Sequence, residues 1–85
     1  MSRDLRFYLA DVIERCDRII EYTDGHDLDS FSADHRTVDA VAGNFEIIGE
    51  AVKSIPKEIL ALAPSANWSD VARFRDIIAH QYFRI

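Results

Sequence analysis

Eighty-five residues, 48% of them hydrophobic, suit one small globular domain spanning 1–85, with a core modest enough to gain from a second copy. A net charge of −5 gives no electrostatic argument for a broad nucleic-acid-binding surface, so any contact with RNA has to come from a local cluster. The single cysteine, Cys16, excludes an internal disulfide and fits a reducing compartment, the cytoplasm; no apolar run approaches the roughly 20 residues that span a bilayer.

The opening stretch "MSRDLRFYLADVIERC" is amphipathic and mixed in charge, unlike a secretory signal. Leu5, Leu9, Val12, Ile13, Cys16, Ile19 and Ile20 recur at helical spacing, which predicts a first helix over about 3–23, buried on one side. Cys16 falls in that arc as a core filler. Gly25 supplies a C-terminal stop. The stretch "FSADHRTVDAVAGNFEIIGEAVKSI" predicts a long helix, with or without a short turn of its own ahead of it, whose main stripe is Val38, Val41, Phe45, Ile48, Val52 and Ile55. Ala40, Ile47 and Ala51 widen its apolar arc to about 200°, more than one neighbour covers, and leave Asp39, Glu46, Glu50 and Lys53 on the remaining face. Gly43 and Gly49 each cost about 1 kcal/mol relative to alanine in a helix interior, so either another backbone comes close or the cost is tolerated.

Pro56 interrupts the pattern and suits the first position of a short helix in "PKEILALAP". Asn67 and Ser69 are capping candidates for a last helix running from near residue 69 to about 82. No stretch alternates with period two for long enough to predict a strand. The fold class is therefore all-α, an antiparallel helical bundle with short connections.

The last helix carries an arginine, a histidine and a tyrosine in "FRDIIAHQYF". At about 100° per residue, Val71, Phe74, Ile78 and Tyr82 share one arc facing the core. Arg75 lies at its edge, with Tyr82 about 20° away two turns on, while His80 lies about 140° from Arg75. Ala72, Asp76 and Ala79 form a shallow strip between them. Small residues admit a second helix closely, and two copies packed along this strip would border one cleft with two arginines and two histidines.

Histidine moves a proton near neutral pH, and arginine offers a planar fork of donors to phosphate oxygens. Together they suffice for attack of a ribose 2′-hydroxyl on its own phosphodiester, His80 as acid or base and Arg75 stabilising the developing charge. No metal or cofactor is suggested: His26, His35 and His80 are scattered, and no Cys/His ligand spacing exists. Taken alone, the spacing of Arg75 and His80 reads as two solvated surface residues, and Tyr82 as an amphipathic residue closing the core. Asn44 sits within the apolar arc of the long helix, as a satisfied buried amide or as a contributor to the cleft.

"NFEIIGEAVKSIP" at 44–56 and "RDIIAHQYF" at 75–83, with "RDLRFYLADVIERCDRIIEY" in the first helix, give the chain its likeness to known proteins. It resembles the HepT-like family of HEPN-domain proteins, the small helical partners of minimal nucleotidyltransferases in prokaryotes. The family pattern of arginine, four residues, histidine, any residue and tyrosine is met by Arg75, His80 and Tyr82, with the polar Asp76 after the arginine. The resemblance implies a metal-independent endoribonuclease, the toxin of a toxin–antitoxin pair, acting on RNA as a homodimer with both motifs lining one cleft. It implies that Arg75 and His80 are catalytic; Asp76 and Asn44 are candidates to support them. Tyr82 would be where the partner nucleotidyltransferase, the antitoxin, attaches AMP and silences the nuclease. Phosphates added there would reach Arg75 and block the cleft. Relatives usually continue past "HQYFRI" with a further helix, so 1–85 is read as a domain lacking that final helix. Arg84 stands where the family commonly shows a small residue. The acidic balance and the shortened end also suit a second reading, a non-catalytic helical module that binds a nucleotidyltransferase. A third reading is a plain helical homodimer without activity.

Overall fold

The computed structural model describes residues 4–77, and within them the chain is all helix and connection, with no strand. Helix α1 spans Leu5–Thr23, α2 Leu28–Ala33, α3 His35–Lys53, α4 Lys57–Leu60 and α5 Trp68–Ile77. Each boundary has a local cause. The Asp4 side chain caps α1 by accepting from the Arg6 backbone N–H. Gly25, at φ +80°, takes the left-handed turn that ends it. Asp27 and Ser30 form a reciprocal capping box on α2.

Of the two forms expected from "FSADHR" onward, the divided one holds: the short α2 precedes the long α3. Asp34, at φ −95° and ψ 87°, leaves helical geometry; its carboxylate accepts from the Thr37 backbone N–H at 3.2 Å and from the Thr37 hydroxyl at 2.7 Å. A residue whose side chain rewards a cap stops one helix and starts the next. Pro56 serves as the N-cap of α4 rather than its first residue. Of the two capping candidates for α5, Asn67 does the capping, its Oδ1 accepting from the Asp70 backbone N–H at 3.1 Å.

Helix α3 is the spine of the bundle and packs against α1, α5 and α2. Val41, Ile48, Ala51 and Val52 from α3, with Ile55 just beyond it, form the buried apolar core. The wide arc read from the sequence is used as expected, with α1 on one flank and α5 on another. Both run antiparallel to α3. Arg15 of α1 meets Asn44, whereas Tyr8, a turn and more earlier, shares a hollow with Glu50 and Ser54. Along α5, Ala72 shares a hollow with Val52 and Ile55, and Arg75 reaches Glu46.

The one-sided burial expected of α1 needs correction. Leu5, Val12 and Ile19 are half-buried, but Leu9 and Cys16 are exposed, and Ile13 and Ile20 are 64% and 68% exposed. The helix is rolled so that Arg15 and Tyr22, outside the apolar arc, share the half-buried side. Cys16 is therefore not a core filler. Its thiol pKa is nonetheless pushed up, by partial desolvation first and by the neighbouring Asp17 carboxylate second, which keeps it a poor nucleophile at neutral pH.

The caps carry a pH prediction. Hydrogen bonds from Thr37 hold the Asp34 carboxyl below its ordinary value of 3.8, and those from Ser30 do the same for Asp27. A carboxyl lowered in the folded state stabilises it above the unfolded pKa, and that contribution disappears as pH falls through the folded value. The urea midpoint should therefore drop below about pH 4, and less steeply in Asp34→Asn. Equal slopes for the two proteins would show that the Asp34 cap is not a source of acid sensitivity.

Candidate active site around Arg75

Arg75 stands two residues from the end of the described part of α5, over the middle of α3. It gets there because Gly49 has no side chain. A Cβ built on Gly49 would overlap the Arg75 Cβ, and would lie 2.6 Å from its Cγ and 3.4 Å from its Cα. Of the two explanations weighed for the helix glycines, close approach holds at Gly49. Gly43 has nothing within 4 Å of the same position and is simply tolerated.

The arginine side chain, 23% exposed, lies among three carboxylates. Nε is 2.9 Å from Glu50 Oε2, Nη2 is 3.5 Å from Glu46 Oε1, and Nη1 is 3.4 Å from Asp76 Oδ1. Glu46 and Glu50 are one helical turn apart on α3 and flank Gly49, so the glycine that admits Arg75 also sets it between them. Asp76 in turn accepts from the Lys53 ammonium, which holds its carboxyl below the ordinary carboxylate range, with Arg75 adding to the effect. The guanidinium is thus fixed from two helices.

Glu46, Glu50 and Lys53, left outside the apolar arc on the remaining face, meet α5 and organise the site. The only sequence signal was two acids four apart around a glycine, and nothing in it says which helix lies opposite. The strip of Ala72, Asp76 and Ala79 is not open along its length. Asp76 is tied back to α3, and Ala72 lines the hollow with Val52, Ile55 and Trp68 of the same chain. Ala79, His80 and Tyr82 lie outside the described residues.

Asn44 is the satisfied buried amide, its Nδ2 donating to the Ala40 carbonyl at 2.7 Å and its Oδ1 accepting from Arg15 Nη1 at 3.5 Å. It lies about 140° round α3 from Gly49, on the flank that faces α1, and is not brought to Arg75. Among the described residues no group of three or more His, Cys, Asp or Glu is placed to hold a metal ion. No helix among them is long and apolar enough to cross a membrane.

The chain is a helical domain with a half-buried arginine fixed over its central helix, followed in sequence by histidine and tyrosine at the spacing noted above. The description of the matching family model is "Ribonuclease HepT-like", and the match covers residues 12–85. The chain belongs to the HepT-like ribonuclease family of HEPN-domain proteins. It is 39% identical over 84 residues to a Methanocaldococcus jannaschii protein named "Putative RNase MJ0127", a match covering 99% of this chain and 69% of the relative. It is also 39% identical over 85 residues to the "Probable ribonuclease HepT" of Thermococcus cleftensis, covering 100% and 77%. A third relative, "Putative RNase TTE0752" of Caldanaerobacter subterraneus, is 35% identical over 80 residues, covering 94% and 71%. No solved structure matches.

Proposed function

We propose that this chain is a metal-independent endoribonuclease, the toxin of a HEPN and minimal-nucleotidyltransferase toxin–antitoxin pair. The observation that carries the proposal is the family match across 12–85, a stretch that contains Arg75, His80 and Tyr82 in the family spacing. In this reading His80 moves the proton of the ribose 2′-hydroxyl or of the leaving oxygen. Arg75 binds the scissile phosphate and stabilises the charge that grows on it. Two copies supply the cleft, and AMP added to Tyr82 by the nucleotidyltransferase occupies Arg75 and closes it. Ile13, Cys16 and Ile20 exposed along α1 are consistent with a chain that associates.

The purified protein should cleave single-stranded RNA in excess EDTA and leave cyclic phosphate ends, and His80→Ala should abolish this with the helical content unchanged. Cleavage that survives His80→Ala, or that disappears with EDTA, overturns the proposal. A second reading, the non-catalytic module, is favoured by the three carboxylates already around Arg75. Its signature is no RNA cleavage by the wild type together with co-purification of a nucleotidyltransferase.

A further inference from the structure

We infer that Glu50, assisted by Glu46, is a positioning residue that holds Arg75 by one edge and leaves the end of its fork for a phosphate; this rests on the nuclease reading above. A guanidinium carries five N–H groups in one plane. In this chain Nη1 donates to Asp76 Oδ1, whereas the carboxylates of Glu50 and Glu46 lie 2.9 Å from Nε and 3.5 Å from Nη2 as ion pairs, and the buried Nε makes no hydrogen bond. The Nε–Nη2 edge thus lies beside the α3 carboxylates, held by charge, and both Nη1 and Nη2 keep N–H groups that are not hydrogen-bonded. Two parallel N–H groups are what a phosphate accepts from an arginine in its bidentate form. The carboxylates of α3 are therefore placed to orient the arginine without exhausting it.

The need for such a clamp is physical. An arginine stem has several rotatable bonds, and a free one would lose much of its conformational freedom only on meeting substrate. Gly49 brings the Arg75 Cβ onto α3, and the acids on either side of Gly49 fix the far end of the side chain. The arrangement also has an electrostatic cost. Three carboxylates surround two cations, Arg75 and Lys53, so the patch repels RNA. Glu50, 60% exposed, contributes to that repulsion while improving the geometry. Positioning and repulsion act on different kinetic constants, and the two are separable.

The test uses the full chain as Glu50→Ala and Glu50→Gln, with two readouts. Under EDTA, Glu50→Ala should lower kcat about tenfold or more and leave KM unchanged or lower. Glu50→Gln should recover little of kcat, since the amide keeps the shape of Glu50 but not the charge that pairs with the guanidinium. Independently of activity, NMR should show the Arg75 Nε–H exchanging slowly in the wild type and faster in Glu50→Ala. A kcat within about twofold of wild type, or a lower KM with unchanged kcat, shows that Glu50 only competes with phosphate and overturns the inference. Equal exchange in wild type and Glu50→Ala overturns it as well. Should the wild type not cleave RNA, the nuclease reading fails by itself, and the exchange measurement still decides whether Glu50 holds Arg75.

Discussion

Gly49→Ala should destabilise this protein, although alanine is the better helix former. Within a helix the change would ordinarily gain up to about 1 kcal/mol. Here the new methyl would meet the Arg75 Cβ and Cγ, atoms next to the α5 backbone that cannot swing aside as the end of a flexible side chain can. Helix α5 has to move off α3, and overpacking of this kind costs about 1–3 kcal/mol. For a domain of this size that corresponds to a fall in Tm of several degrees, on the order of 4–8 °C per kcal/mol. Gly43→Ala is the control. It lies in the same helix with nothing within 4 Å, and should raise Tm by the propensity gain alone. Opposite signs for the two variants are the expected result; a rise in both would mean that α5 is not seated on Gly49. The Gly49 variant should also lose RNA cleavage beyond its loss of stability, because Glu46 and Glu50 would no longer flank Arg75.

Arg75→Ala should lower RNA cleavage by about 10²–10³-fold, the cost of removing a donor aimed at developing charge. Arg75→Lys should recover little of it. A lysine ammonium is a single point of charge, and it cannot lie along both α3 acids while offering two parallel donors to phosphate. Either change also leaves Glu46, itself only 23% exposed, short of a matched partner. Thermal unfolding and far-UV circular dichroism of each variant therefore accompany the assay. An active Arg75→Lys protein would reduce the role of Arg75 to charge alone, and an active Arg75→Ala protein would remove it from the chemistry.

Much of this molecule was legible in its residues because the signals are local. Periodicity gave the helices, Gly25, Pro56 and Asn67 marked their ends, and the width of the apolar arc on α3 required two neighbours. Of the two readings of Asn44, the satisfied buried amide is the one the fold shows. The division at Asp34 was less legible, since the same residues also continue a helical pattern and the Thr37 contacts decide between them. The roll of α1 was not legible at all. Ile13 and Ile20 are as apolar as Val12 and Ile19, and only the seating of α1 on α3 says which pair is covered.

The order of side chains along the chain by itself determined that this is a bundle of helices, which faces are apolar, and that Arg75, His80 and Tyr82 stand at the family spacing. Tertiary structure alone decided that Glu46, Glu50 and Lys53 belong to the site, that Gly49 is a seat and Gly43 is not, and that Asp76 turns back to its own α3. The physical reason is range: capping and helical periodicity act within a turn or two of one helix, whereas an ion pair between α3 and α5 depends on how two separate helices are set against each other.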